Sequence, residues 1–283
     1  MAHRTDSPQM SGSEICFRVL GVRINAVQIE DVITRMEEWI RNRSGSHSIS
    51  PTGMHGTVEA QRDPSFKQVL NLTDLVVPDG MPLVWLGRRC GHYLPRRVYG
   101  PDLMLEFCEK TAGREYRHFF YGGEEGVPER LAETLKRRFP PMEVCGTFSP
   151  PFRPLTPEQD QEIVTMISRA APDVLWVGLG TPKQERWIHE HRDTLHVPVL
   201  VSVGAAFHVV SGQRSQAPLW MREHGLEWLF RLLQEPRRLW RRYLLDGARF
   251  VAYLGLESLR LKSFDDEADR PTPPQSSGRP NRH

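Results

Sequence analysis

Nothing in the chain looks able to cross a bilayer. Its longest run free of Asp, Glu, Lys and Arg is Thr194–Gln213, interrupted by Pro198, Gly204, His208 and Gly212. The apolar part of that run is too short for a spanning helix. The opening MAHRTDSPQMSGSE has no apolar core of the kind a secretory signal carries, so no leader is expected. Cysteine is scarce: Cys16, Cys90, Cys108 and Cys145 stand singly with no CxxC pair. That argues against a structural zinc site and for reduced thiols in a cytoplasm. GxGxxG and GxxxxGK[ST] are both absent, which weakens dinucleotide and P-loop readings and makes a nucleotide-dependent oxidoreductase improbable. There is no internal repeat and no excess of one charge. Lys+Arg number 37 against 35 Asp+Glu, a net +2, so the surface as a whole is no polyanion footprint.

What is present is enough apolar material for a large core: 39% of the 283 residues are hydrophobic and 25% charged. Residues 1–14 and 263–283 are polar, the latter rich in Pro and Ser. Such segments bury too little apolar area to offset their ordering entropy and are expected to be loose. Between them lie the apolar runs Asp74–Pro78, His118–Gly122, Asp173–Gly178 and Val197–Gly204. Helical patterns follow at Asp102–Ala112, Pro128–Phe139 and Pro182–Arg192. Continuous apolar strands separated by helices predict an α/β domain over residues 15–222, a Rossmann-like parallel sheet covered by helices. Ligands in such sheets gather beyond the carboxyl ends of the strands.

The composition shifts near Arg214. From there to Arg249 eight arginines face four acids, net +4, interleaved with Trp220, Trp228, Trp240, Tyr243 and many leucines. Pro236 should divide this stretch into helices Leu226–Glu235 and Arg237–Leu245. Residues 223–262 are therefore predicted to be a basic amphipathic helical appendage. Arginine suits lipid phosphates and indole suits the headgroup boundary, so one reading is an interfacial helix pair on an anionic membrane. The other is an ordinary helix pair whose aromatics pack on the core, and the two are compatible.

Four loops can carry chemistry. Asp79, in Pro78-Asp79-Gly80, sits at a strand's carboxyl end, where a carboxylate can face a ligand as a general base or merely form a turn. Gly122 and Gly123 end another strand, where backbone can approach a phosphate at a helix N-terminus. In Gly178-Leu179-Gly180-Thr181-Pro182-Lys183-Gln184, Thr181 reads as an N-cap with Gln184 as its capping-box partner. Gly178, Gly180 and Lys183 there suit a diphosphate. His208 is either a ligand contact or a structural histidine. Arg97 is either a phosphate clamp or a surface residue.

These blocks, in this order, carry a resemblance. The stretches AQRDPSF (Ala60–Phe66), NLTDLVVPDGMPLVW (from Asn71), RVYGPDLM, HFFYGG, VGLGTPKQERW and GLEWLFRLLQEPRRLWRRY together resemble the WecG/TagA/CpsF glycosyltransferase family over roughly Val19–Leu254. The resemblance implies an inverting transferase that moves an N-acetylmannosamine-type sugar from a UDP donor to a polyprenyl-diphosphate-linked acceptor. It implies surface-polysaccharide assembly, metal-independent chemistry with no cofactor, and a peripheral position at the inner face of the plasma membrane. By the same resemblance Asp79 is the general base, Arg97 and Gln184 line the active site, and appendage arginines such as Arg237, Arg238 and Arg241 reach over it. No DxD-type metal motif stands near a strand end, in keeping with cationic side chains stabilising the departing UDP.

Two positions depart from the family's pattern. Its Thr-x-Asn block falls here on Ser50-Pro51-Thr52-Gly53-Met54-His55, with Gly53 where asparagine is expected and Thr52 or His55 left to take its contact. His208 stands where the family commonly has Asp. The missing asparagine motivates a rival from another class, a catalytically weak lipid-diphosphate- or UDP-binding assembly protein. A nucleic-acid partner is not expected, because arginines set among so many leucines favour lipid over duplex. Homo-oligomerisation is left open.

Overall fold

The computed structural model describes residues 15–264, apart from the side chain of Arg238. A two-stranded hairpin, β1 (Cys16–Val19) and β2 (Val22–Asn25), precedes a six-stranded sheet. The sheet comprises β3 (His47–Thr52), β4 (Leu75–Pro78), β5 (Arg117–Gly122), β6 (Glu143–Phe148), β7 (Val174–Gly178) and β8 (Val199–Ser202). Its order is β4-β3-β8-β7-β5-β6 and its strand pairs are parallel. This is the Rossmann-like α/β architecture expected from the apolar runs, each of which holds a strand. β3 and β6 gave no such run, for different reasons. In β3 the residues Ser48, Ser50 and Thr52 alternate with Ile49 and Pro51, and its pairing with β8 stops at Ile49. Pro51 therefore pairs only with Val77 of β4 and interrupts no ladder on its other side. β6 is an edge strand and only half buried.

Helices cover both faces. On one, α1 (Ile29–Asn42), α5 (Gly100–Thr111), α6 (Val127–Arg138) and α9 (Ala206–Val210) pack Met36, Phe107, Leu131 and Phe207 around Phe120 and Trp176. On the other, α7 (Pro157–Ala170) and α8 (Lys183–Leu195) pack Ile167, Trp187 and Ile188 against Phe119, Tyr121 and Leu200. A third cluster joins the hairpin to α2 (Met54–Arg62), α3 (Pro64–Leu72) and α4 (Met81–Arg89) through Ile24, Val58, Phe66 and Val84.

The chain ends in α10 (Leu219–Glu223), α11 (Glu227–Gln234), α12 (Pro236–Trp240), a π-helical turn (Arg241–Leu245) and α13 (Asp246–Ser258). The break expected at Pro236 is present. The second helix of the pair is longer than the sequence implied, because α12 runs through the π turn into α13. Phe250 of α13 is buried in the third cluster, so these helices pack on the core as well as presenting an outer face. Phe264, grouped with the C-terminal tail by composition, is also buried: its carbonyl accepts from Lys67 Nζ and its ring lies against Tyr253. Residues 1–14 and 265–283, the rest of the expected tails, lie outside the described residues.

Adjacent strands β5 and β7 send their connections opposite ways, β5 through α6 to the edge strand and β7 through α8 to β8. Their carboxyl ends therefore form a topological switch point, where open α/β sheets leave a crevice for ligands. The glycines there have a packing reason. Gly122 has φ +123°, and a Cβ on it would stand 2.6 Å from the Gly178 carbonyl carbon. Gly122→Ala is expected to cost about 3 kcal/mol, from strained backbone and overpacking together. Urea unfolding would measure it, and a loss under about 1 kcal/mol would show that the strand ends can part.

Candidate active site

Asp79 follows β4 directly, and its N–H donates to the Thr52 carbonyl at 3.0 Å. That bond holds together the ends of β3 and β4, where Gly53 and Gly80 are the N-cap residues of α2 and α4. The Asp79 Oδ1 accepts the Gly100 N–H, at the N-terminus of α5, at 3.0 Å. Burial pushes the Asp79 carboxyl above the ordinary carboxylate range. Arg97 and the Gly100 N–H pull it back, and Glu227 adds to the rise. The result is a carboxylate that binds a proton more tightly than a solvated one, as a general base requires.

A four-residue cluster stands beside it. Arg97 lies over the Tyr99 ring, 4.1 Å from its centroid, and is ion-paired with Glu227 of α11. Arg231, one turn further along α11, reaches Glu227 Oε1 at 3.1 Å and donates to the Tyr99 hydroxyl at 2.9 Å. Burial opposes ionisation of Glu227, yet Arg97 and Arg231 hold its carboxyl below the usual range. Tyr99 is pushed up by burial and so stays a neutral phenol. Sequence reasoning singled out Arg97 alone of these four. The i,i+4 spacing of Glu227 and Arg231 on one helix face signalled their pairing with each other, and nothing local signalled Tyr99.

A cavity of about 680 Å³ opens between these loops and the C-terminal helices. It brings together four of the predicted residues: Thr52, His55, Asp79 and Arg97. His55 Nδ1 is 2.9 Å from Asp246 Oδ2, at the start of α13. Asp246 also pairs with Arg62 and, at 3.3 Å, with Arg249. Burial, aided by the charge of Arg242, lowers the His55 pKa and keeps the ring neutral.

The remaining predicted residues lie elsewhere. Gln184 is buried, its Oε1 accepting the N–H groups of Gly180 (3.1 Å) and Gly204 (3.0 Å) while its Nε2 donates to Glu185. It thereby ties the β7 loop to the β8 loop. The capping-box expectation for Thr181 is corrected: α8 begins at Lys183, and the Thr181 hydroxyl donates to Glu185 instead. The same pattern at Thr156 and Gln159 does form a capping box. Gly122, Gly123, Gly178 and Gly180 are at the switch point, with the Gly123 N–H donating to the Gly178 carbonyl at 3.0 Å. Lys183 is exposed, and His208 pairs with Gln213 at 3.0 Å. Arg237 and Arg241 are exposed and do not line the cavity, whereas Arg231 and Arg242 of the same helices do; the Arg238 side chain lies outside the described residues. Among the described residues no three His, Cys, Asp or Glu side chains converge as a metal site.

The family model described as "Glycosyl transferase WecG/TagA/CpsF family" matches residues 17–263. Three proteins, all named N-acetylglucosaminyldiphosphoundecaprenol N-acetyl-beta-D-mannosaminyltransferase, are similar to this chain. That of Bacillus spizizenii (strain ATCC 23059 / NRRL B-14472 / W23) is 35% identical over 186 residues, 66% of this chain and 70% of the relative. That of Bacillus subtilis (strain 168) is 32% identical over 186 residues, 65% and 70% of the two chains. That of Staphylococcus aureus (strain MW2) is 26% identical over 224 residues, 79% and 86%.

The raised pKa of Asp79 has a consequence for stability. Between the ordinary carboxylate pKa and its folded value, the native state keeps a proton that the unfolded chain has released. Stability therefore falls as pH rises through that window, and the cost of the buried charge is fully present above it. Asp79→Asn removes the cost. The variant is expected to be more stable than the parent at pH 7, with the gain shrinking towards pH 4, in urea unfolding at the two pH values. A variant less stable at pH 7 than at pH 4, each relative to the parent, would reverse the assignment.

Proposed function

The chain belongs to the WecG/TagA/CpsF family of glycosyltransferases, and from that membership we propose the reaction, the donor and the roles of its residues. It is a hexosyltransferase that moves an N-acetylmannosaminyl group to a polyprenyl-diphosphate-linked N-acetylglucosamine, the acceptor in its relatives' names. The product belongs to cell-surface polysaccharide assembly. UDP-N-acetylmannosamine is the proposed donor.

The observation that carries the mechanism is the pairing of one proton-hungry carboxylate, Asp79, with two guanidiniums, Arg97 and Arg231, in the polar part of one cavity. Asp79 takes the proton of the acceptor hydroxyl as that oxygen attacks the anomeric carbon. A new C–O bond forms, the anomeric carbon–phosphate oxygen bond breaks on the opposite face, and configuration inverts. The electron pair leaves with UDP. Arg97 and Arg231 stabilise the charge gathering on its diphosphate, in a site with little water to screen it. Gln184 acts by positioning, since it fixes the Gly180 and Gly204 backbones beside the switch-point crevice in which the donor's nucleotide is read. Gly53, in the asparagine's place, leaves Thr52 and His55 as the polar contacts for the sugar at that wall.

The appendage brings the enzyme to its lipid substrate. Trp220, Leu233, Trp240, Leu244 and Leu245 are exposed along α10–α13, with Arg237, Arg241 and Arg242 between them. Among the described residues no helix is long and apolar enough to cross a membrane. These helices instead lie on an anionic surface, at the inner face of the plasma membrane.

UDP release from a panel of UDP-N-acetylhexosamines, with polyprenyl-diphosphate-linked N-acetylglucosamine as acceptor, tests the reaction. Acceptor-dependent release is expected, with Asp79→Asn at least ~100-fold slower, the scale of a general base. Binding of UDP without release on any donor would favour the assembly-protein reading, and full activity in Asp79→Asn would discard the base. For the membrane, the double variant Arg237→Glu, Arg241→Glu is expected to bind anionic liposomes at least ~10-fold more weakly, at roughly 1 kcal/mol per basic residue near the surface. Co-sedimentation at low salt measures it.

A further inference from the structure

The active-site cavity has a polar part and an apolar part. Its apolar lining is formed by Trp85 and Leu86 of α4 and by Leu244, Phe250, Val251 and Leu254 of the C-terminal helices. These side chains do not close on one another. Val251 is 69% exposed and Trp85 49% exposed, although both face a recess framed by apolar neighbours. Phe250 and Leu254 anchor the α13 wall in the core cluster behind it, and the Trp85 indole is backed by Gly225, where a Cβ would meet it at 3.1 Å. The wall is thus held from behind and still exposed to solvent, the state of an apolar surface built for a ligand. Four arginines line the same cavity: Arg97 and Arg231 of the buried cluster, and Arg89 and Arg242, which are exposed.

We propose that this apolar part is a subsite for the first isoprenoid units of the acceptor lipid. The proposal rests on the reading of the acceptor as a polyprenyl diphosphate. The cations lining the cavity match a diphosphate with a sugar on one side and a hydrocarbon chain on the other. The sugar hydroxyl then points to Asp79 while the proximal isoprenes lie along Trp85, Leu86 and Val251. The rest of the chain runs out between α4 and α13 towards the bilayer. On this account the protein recognises the tail itself and does more than approach the membrane that holds it.

The test uses the full chain, without membrane or detergent, and a series of soluble probes: isopentenyl, geranyl, farnesyl and geranylgeranyl diphosphate below their aggregation concentrations. Calorimetry gives Kd for each, with inorganic pyrophosphate as the headgroup control. Affinity is expected to rise at least ~10-fold between the five- and ten-carbon probes, since each buried methylene is worth roughly fourfold, and to level off once the recess is filled. In Val251→Asp and in Trp85→Ala the gain should fall below about threefold while pyrophosphate binds as before. An equal Kd across the series in the parent protein, or the full gain retained in both variants, overturns the proposal. Because the readout is binding, absent sugar transfer would sink the acceptor reading and leave the chain-length result to stand or fall by itself.

Discussion

The contact on which the rest depends is the buried ion pair between Arg97 and Glu227. Arg97 follows β4 and α4 in the α/β core; Glu227 opens α11 in the C-terminal helices. Neither charge is tolerable in its place alone, since an uncompensated buried charge costs several kcal/mol. The pair therefore does two things at once. It docks the C-terminal helices over the end of the sheet, and it holds a guanidinium beside Asp79 in a fixed pose over Tyr99. A second tie, Asp246 to His55 and Arg62, works the same way further along. Both ties set an acid of the appendage against a cation or imidazole of the core, and the cavity is the space between them.

That arrangement explains why Asp79 can be a stronger base than its surroundings first suggest. A carboxylate beside an arginine ordinarily loses proton affinity. Here Glu227 draws on the same guanidinium and itself disfavours a second negative charge nearby. Burial then decides the direction. Arg97 is left as a positioned cation whose charge is mostly spoken for, and Arg231 binds Glu227 and Tyr99 in a matching geometry.

Much of this was legible in the sequence, and what was not has identifiable causes. The fold followed from four apolar runs, because strands buried on both faces leave no polar positions to disguise them. β3 escaped because its serines face a partly polar layer and Pro51 sits past the β8 ladder. Asp79 and Arg97 stood in blocks that could be matched by family. Glu227 and Tyr99 stood in such blocks too, but their grouping comes from contacts across 130 residues of chain or more, Arg97 to Glu227 and Arg231 to Tyr99, which spacing does not reveal. The glycines read as phosphate cradles also have a second explanation, close packing of strand ends, that spacing alone could not supply. The Thr181 cap failed because its hydroxyl found a better acceptor in buried Glu185.

Charge bookkeeping in the cluster shows what ligand binding must change. The acids Asp79 and Glu227 face the cations Arg97 and Arg231 in equal number. On the proposed reading, a diphosphate adds negative charge that those four groups do not offset. Relief can come from Arg89 and Arg242, which already line the cavity. It can also come from Glu227 yielding its place on Arg97, since a phosphate oxygen and a carboxylate oxygen make the same charge-assisted bonds to a guanidinium. Either route acts on the C-terminal helices, because Glu227 and Arg242 both belong to them. On the proposed reading, binding at this cluster is coupled to how those helices sit over the core, through side chains that touch both.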